Sequence, residues 1–131
     1  MHGQQSGHII EPWLTISSGK SAIDFYKKAF GATETYRFED PSGGIVVRLE
    51  TEGAGFWVSI EGAEGEGKPA IPLGGDNVKM ILITREPEGL FEQALKADAT
   101  EVFPVGEDHG WKLGRLADPY GMHWEIGCPL G

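Results

Sequence analysis

The stretch that decides the fold is LGRLADPYGMHWEIG, which runs from Leu113 to Gly127. Proline presets φ and glycine accepts a positive φ, so Asp118-Pro119-Tyr120-Gly121 predicts a chain reversal between two strands. In the second strand, successive side chains point to opposite faces, which places Trp124 and Ile126 on one face and Glu125 on the other. The apolar face needs a covering helix, whereas the polar face is left for solvent, a ligand or another sheet.

The composition restricts the classes of partner. A chain of 131 residues suits one compact domain or two small fused modules. Its formal charge of -9, with only 11 Lys plus Arg, argues against nucleic acid and anionic membranes, because both need a basic face. The single cysteine, Cys128, allows no intrachain disulfide and no thiolate metal cage, and we find neither a signal peptide nor a long apolar run. We therefore expect a cytoplasmic protein.

The order of predicted elements repeats on either side of a segment rich in Gly, Pro and charge. Residues 9–62 read as a strand, a helix and three strands, and residues 78–128 repeat that order. Residues 1–8 are expected to form a flexible leader and residues 63–77 a linker. The predicted fold class is α+β, with two tandem β-α-β-β-β modules forming one domain over 9–128 and pairing their sheets into a concave cleft.

Alternating apolar residues mark the strands, and apolar residues at helical spacing mark the helices. The predicted strands outside the hairpin are Ile9–Ile16, Glu34–Glu39, Ile45–Thr51, Phe56–Ile60, Val78–Thr84 and Thr100–Val105; the predicted helices follow Ser17-Ser18-Gly19 and cover Pro87–Lys96. The repeat also appears in single residues. Arg48-Leu49 recurs as Arg115-Leu116, and Gly55–Ile60 is aligned with Gly121–Ile126 at an offset of 66 (121 − 55).

Four segments carry a resemblance to a known family. They are PWLTI at 12–16, AIDFYKKAFGA at 22–32, GLFEQALKADATEVFP at 89–104 and GRLADPYGMHWEIG at 114–127. In combination they resemble the vicinal-oxygen-chelate superfamily, which includes glyoxalase I, extradiol dioxygenases, fosfomycin and bleomycin resistance proteins and PhnB-like proteins. The opening PWLTI and the overall spacing are most similar to the PhnB-like branch. The resemblance implies paired modules, commonly in a homodimer, with a ligand on the concave face.

The resemblance also implies positions for a metal. In metal-dependent members the ligands come from the first and last strands of each module, which correspond here to Glu11, Ser59, Lys79 and Glu125. Ser59 is a weak neutral ligand, and Lys79 as an ammonium cannot coordinate near neutral pH. We interpret Lys79 as a replacement for the metal that offsets repulsion between the two glutamates, so no cofactor is expected. The open alternative is Zn, Ni, Mn or Fe held by Glu11, His123 and Glu125.

The polar faces of the strands, which point away from the predicted helices, supply candidate ligand-binding residues of aromatic, aliphatic and basic type. These are Trp13, Arg48, Trp57, Lys79, Ile81, Arg115 and His123. The tryptophans can stack on a flat ligand, and the two arginines can grip a carboxylate or phosphate. Alternatively, the tryptophans pack between sheets or at a subunit contact, and the arginines pair with acids such as Glu50. Trp111 is expected in a loop that closes over the cleft or covers the core edge.

Two functions follow from these residues. The first hypothesis is a metal-independent protein of the bleomycin-resistance or PhnB-like kind that binds a small organic ligand, either anionic or aromatic. The second is a metal-dependent lyase, isomerase or dioxygenase. No nucleophile with a matching base stands out, so no catalytic residue is assigned. Sheet edges and a concave face in need of a partner lead us to expect a homodimer with twofold symmetry.

Overall fold

The computed structural model describes residues 7–16, 21–60 and 79–131, and these form two four-stranded sheets and two helices. The elements are β1 (Trp13–Ile16), α1 (Ser21–Phe30), β2 (Thr33–Glu39), β3 (Ile45–Thr51), β4 (Ala54–Ile60), β5 (Met80–Ile83), α2 (Pro87–Lys96), β6 (Thr100–Asp108), β7 (Trp111–Ala117) and β8 (His123–Pro129). Residues 1–6 of the expected leader, the capping residues 17–19 and the whole expected linker lie outside the described residues.

Each module contributes one sheet. The strand orders are β1-β4-β3-β2 and β5-β8-β7-β6. In both sheets the first and last strands of the module pair in parallel, and the remaining neighbours are antiparallel. The expected α+β fold of two tandem β-α-β-β-β modules is therefore confirmed. Neither α1 nor α2, the helices of the described ranges, is long and apolar enough to cross a membrane.

The helices form where the apolar spacing predicts them. In α1 the side chains of Ile23, Tyr26 and Phe30 recur on one face and are all buried. Gly31 follows with φ of 66°, a conformation that glycine adopts without strain, and it ends the helix. The second helix has the predicted bounds, with Pro87 in its first turn, where a missing N–H costs nothing.

One hydrophobic core joins the two modules. Phe30 of α1 lies 4.6 Å from Trp124 of β8, ring centre to ring centre, although the two residues belong to different modules. Phe56 of β4 contacts both sides, with its ring 5.3 Å from Tyr26 and 5.5 Å from Trp124. Edge-on and tilted arrangements of this kind are the favoured geometries of aromatic pairs. The first helix is therefore fixed to the last strand of the second module.

A buried carboxylate holds this contact in place. Asp118, which is 5% exposed, accepts hydrogen bonds on Oδ2 from the Tyr26 hydroxyl at 2.5 Å and from the Trp124 indole at 2.9 Å. Its Oδ1 accepts the backbone N–H groups of Tyr120 and Met122 at 2.9 and 3.0 Å. Burial, with the Asp118 charge beside it, raises the pKa of Tyr26 well above its ordinary value. The phenol therefore stays protonated and donates.

Several strand limits differ from the prediction. The first strand begins at Trp13 instead of Ile9, because Pro12 cannot donate to a sheet ladder and Ile10 is 97% exposed. Trp111 lies in strand β7, so its expected place in a loop is wrong. Strands β6 and β7 are joined by a tight turn in which His109 and Gly110 have φ of 52° and 81°. Bulges near Phe103 let β6 continue past Pro104.

We expect Asp118→Ala to lower the free energy of unfolding by about 3 kcal/mol or more, because it leaves four buried donors without their acceptor. Chemical denaturation measures the change. The matched control is Asp24→Ala, an exposed acidic residue in the first turn of α1, which should cost less than about 1 kcal/mol.

Tyr26→Phe completes a double-mutant cycle. It should cost clearly less in the Asp118→Ala background than in the original chain, because its partner is already gone. Equal costs for Asp118→Ala and Asp24→Ala would show that the carboxylate does not hold the modules together.

Candidate functional site

A row of large side chains crosses the first sheet on the face opposite the core. The strand register places Trp13, Trp57, Arg48 and Tyr36 directly beside one another on β1, β4, β3 and β2. The strand neighbours of Arg48 and Trp57, such as Val47 and Val58, are buried against the core, so alternation sends these two side chains outward. Trp13 and Tyr36 lie against Trp57 on the same face. We call these four residues the first row.

An ion pair lies at the centre of the first row. Arg48 donates from Nε to Glu11 Oε1 at 2.9 Å and from Nη2 to Glu11 Oε2 at 2.6 Å, a two-pronged contact. The Trp57 indole donates to Glu11 Oε1 at 2.9 Å. The hydrogen bond from Arg48 lowers the pKa of Glu11, and the Trp57 bond adds to it against the opposing effect of burial. Both carboxylate oxygens of Glu11 are therefore occupied by groups of its own module.

The two tryptophans of the row form a flat aromatic surface. Their rings lie 5.8 Å apart and are nearly parallel, with 12° between the planes. The Trp13 indole donates to Ser59 Oγ at 3.1 Å, which fixes the orientation of the ring. Tyr36 lies 5.4 Å from Trp57 on the far side. Because Trp13 is 53% exposed, much of its ring is open to a planar molecule.

The second sheet carries an equivalent row. The register places Ile81, Glu125, Arg115 and Phe103 side by side on β5, β8, β7 and β6. Arg115 donates from Nη2 to Glu125 Oε2 at 2.8 Å, and its guanidinium lies 5.7 Å from the centre of the Phe103 ring. We call these four residues the second row.

Glu125 pairs with a second cation. The Lys79 ammonium lies 3.3 Å from Glu125 Oε2, the same oxygen that Arg115 contacts. Burial acts to raise the pKa of Glu125, but the hydrogen bonds from Arg115 and Lys79 outweigh it, and the pKa is lowered. Arg48 takes the place expected for Lys79 beside Glu11. The expectation that Lys79 lies between the two glutamates is therefore wrong, because each glutamate is paired within its own module.

The two rows correct the internal alignment. Trp13 is beside Trp57 and Ile81 is beside Glu125, so the equivalent of Trp57 is Glu125, at an offset of 68 (125 − 57). The offset of 66 that aligned Gly55 with Gly121 is wrong. The reason is local, because Gly121 lies in the turn with φ of 95°, whereas Gly55 lies within β4. By internal symmetry, Trp57 instead of Ser59 occupies the position that matches Glu125.

A cleft of about 550 Å³ adjoins the second row. Its walls are mainly apolar on the strands and acidic at the β6–β7 turn. The lining residues are Ile81, Phe103, Pro104, Gly106, Glu107, Asp108, His109, Trp111, Leu113 and Glu125. Of the predicted ligand-binding residues, only Ile81 lies in this cleft; Trp13, Trp57, Arg48 and Arg115 lie in the rows, Lys79 contacts Glu125, and the half-buried His123 is on β8.

Comparison with known proteins identifies the family. A model described as the Glyoxalase/Bleomycin resistance protein/Dioxygenase superfamily matches residues 6–126. The chain belongs to this superfamily. Among curated relatives of this superfamily member, the uncharacterized protein Mb0911c of Mycobacterium bovis is 36% identical, over 92% of this chain and 83% of that protein.

Solved structures share the superfamily fold. Protein PA1353 from Pseudomonas aeruginosa matches with a TM-score of 0.71 at 17% identity, over 95% of this chain and all 100% of that one. A PhnB protein from Bacillus cereus matches with a TM-score of 0.64 at 18% identity, over 92% of this chain and 99% of that one. At such identities the likeness concerns the fold alone.

The residues at the superfamily's metal positions do not fit a divalent cation. Both oxygens of Glu11 accept hydrogen bonds from Arg48 and Trp57, and an ammonium contacts Glu125. Among the described ranges, no three His, Cys, Asp or Glu side chains approach one another closely enough to hold a metal ion. The alternative set of Glu11, His123 and Glu125 is thus not assembled in this part of the chain.

Sequence reasoning missed two residues of the site. Tyr36 and Phe103 complete the two rows. Trp111, which the sequence analysis named as a residue that could close over the cleft, lines it from strand β7. Alternation along β2 was a usable signal, because Tyr36 and Phe38 share one face. The bulges in β6 removed that signal for Phe103.

Gly55 is required by the Glu11–Arg48 pair. A Cβ at this position would collide with the Arg48 guanidinium and lie 2.8 Å from Glu11 Oε2. We expect Gly55→Ala to displace the pair and to lower stability at pH 7. The pKa of Glu11 is lower in the folded chain than its unfolded value of about 4.3, so the pair stabilises above that pH and its contribution is lost as pH falls through the lowered pKa.

Chemical denaturation at pH 7 and pH 3.5 measures the effect, and the stability gap between Gly55→Ala and the original chain should narrow in acid. The control is Gly89→Ala in α2, where a Cβ meets nothing within 4 Å. That change should stabilise the helix by about 1 kcal/mol at both pH values. A Gly55→Ala gap of equal size at both pH values would contradict the assignment.

Proposed function

We propose that the protein binds a small organic molecule on its concave sheet faces without a catalytic metal, as a member of the bleomycin-resistance or PhnB-like kind. The observation that carries this proposal is the internal pairing of Glu11 with Arg48 and of Glu125 with Arg115 and Lys79. A divalent cation would have to displace those cations and would compete with two ion pairs. Because these carboxylate oxygens are already paired with cations, they favour a cleft that binds a ligand over one in which a metal ion polarises a substrate.

Aromatic surface supports the same proposal. Trp13, Tyr36 and Phe103 are each between 41% and 53% exposed on the sheets, and the adjoining cleft of about 550 Å³ has the size of a small-molecule site. Both tryptophan N–H groups of the first row are already bonded within the protein. Contact with a ligand there is consequently through ring faces, which favours a planar molecule.

Indole N–H resonances test the aromatic surface as a binding site, and the melting temperature tests the absence of a metal. Addition of 2-naphthol should shift the signal of Trp13, which is exposed, and leave that of Trp124, which is 3% exposed in the core and serves as an internal control. Addition of Zn, Ni, Mn or Fe(II), or of a chelator, should leave the melting temperature unchanged.

Two results would count against the proposal. Failure of 2-naphthol to shift Trp13 would remove the aromatic surface as a binding site. A stoichiometric metal site that Glu125→Gln abolishes, while the exposed Glu101→Gln leaves it intact, would favour the metal-dependent lyase, isomerase or dioxygenase instead.

We further propose that the protein acts as a homodimer in the cytoplasm. Large apolar side chains, among them Ile83 at 60% and Phe38 at 52% exposure, lie on both sheets, and a symmetric dimer would cover such surface. Sedimentation velocity at micromolar concentration should give twice the 14.2 kDa of the chain. A mass equal to one chain would overturn this part of the proposal.

A further inference from the structure

One oxygen of a buried carboxylate in the second row has no partner within residues 7–16, 21–60 and 79–131. Glu125 is 9% exposed, and Arg115 and Lys79 both contact its Oε2, at distances from 2.8 to 3.3 Å. Its Oε1 accepts no hydrogen bond from those ranges. A buried carboxylate oxygen normally accepts hydrogen bonds, and leaving one without a donor is costly. Because Glu125 lines the cleft, a molecule bound there can supply that donor.

The other residues that line the cleft indicate the shape and charge of a molecule that would fit it. Ile81, Phe103, Trp111 and Leu113 form apolar walls, which suit a hydrocarbon ring. Among the described residues, the lining contains no lysine or arginine. Glu107 and Asp108 add carboxylates at the β6–β7 turn, where Asp108 Oδ2 lies 2.9 Å from His109 Nδ1. The net charge of -9 acts in the same direction at longer range.

The arginines do not offer an anion site. Arg48 is bound through two nitrogens to Glu11, and Arg115 is bound to Glu125 and lies over Phe103. An anionic ligand would have to displace a glutamate from either guanidinium. The sequence offered two roles for Arg48 and Arg115: together they grip a carboxylate or phosphate, or each pairs with an acid. These contacts favour the second role.

We infer that the cleft binds an amine, namely an apolar ring or chain that carries a protonated primary or secondary nitrogen. Its N–H donates to Glu125 Oε1, its apolar part contacts Ile81, Phe103, Trp111 and Leu113, and Glu107 and Asp108 favour its charge at the mouth. This inference rests on the proposed binding function and names the class of ligand for it. It gives Glu125 the role of ligand acceptor at a position where metal-dependent relatives place a metal ligand.

Three naphthalene probes of one size separate charge from hydrogen bonding. 2-Naphthylmethylammonium has the charge and the N–H donors, its N,N,N-trimethyl derivative keeps the charge without donors, and 2-naphthoate is an anion. In calorimetric titrations of the full chain at pH 7, we expect the primary ammonium to bind at least about tenfold more tightly than either of the others, as one charged hydrogen bond can supply. In NMR spectra of the complex, the protons of the bound primary ammonium probe should show contacts to Trp111 and Leu113.

Variants assign the effect to Glu125. Glu125→Gln should remove most of the preference for the primary ammonium, whereas Glu101→Gln, exposed on β6 and outside the cleft lining, should keep it. The comparison of probes on the unaltered chain stands by itself if Glu125→Gln does not fold.

The outcomes distinguish the two proposals. Equal affinity for the primary and trimethyl ammonium would overturn donation to Glu125, and tighter binding of naphthoate would overturn the preference for amines, while in both cases ligand binding by the protein would stand. Absence of binding by all three probes, together with no shift from 2-naphthol, would overturn the binding function itself.

Discussion

The hydrogen bonds to the Asp118 carboxylate are the constraint on which the structure depends. One side chain bonds the phenol of Tyr26 on α1, the indole of Trp124 on β8 and the backbone of its own turn. The first module is thereby attached to the final hairpin of the second. With that attachment, the aromatic core closes on one side of each sheet, and the opposite faces are left to carry charge and exposed rings. A turn motif that looks local in the sequence therefore sets the relation between two distant parts of the chain.

The two outward faces share a plan and differ in chemistry. Each row has an arginine on the third strand of its module and an aromatic ring on the outer strand. A glutamate neutralises the arginine in both modules: Glu11 from outside the first row and Glu125 from within the second. In the first module the glutamate precedes β1, and the position beside the arginine holds Trp57; in the second the glutamate itself is beside Arg115. The first face is consequently a flat aromatic surface. The second is an apolar cleft with one Glu125 oxygen that accepts no hydrogen bond from the described part of the chain. A shared framework thus supports two different kinds of surface.

The sequence was sufficient for features set by local periodicity. Apolar spacing along the chain predicts the order of the two modules, the bounds of α2 and β3 and the burial of Val47 and Leu49, and the structure has all of these. Features that depend on the register between strands could not be predicted from the sequence. They include the pairing of Trp57 with Arg48, the bulges that extend β6, and the contact of Glu11 with Arg48 instead of Lys79. A shift of two residues in one alignment was enough to place Ser59 where Trp57 belongs.

The separate neutralisation of Arg48 and Arg115 allows the two halves of the chain to diverge independently during evolution. Since each guanidinium is paired with a glutamate of its own half, a substitution on one face leaves the ion pair on the other intact. After a duplication gives rise to two similar halves, each can drift toward its own ligand while the common core stays intact. The glutamate lies before β1 in the first half and on β8 in the second, which is the trace that such independent divergence would leave.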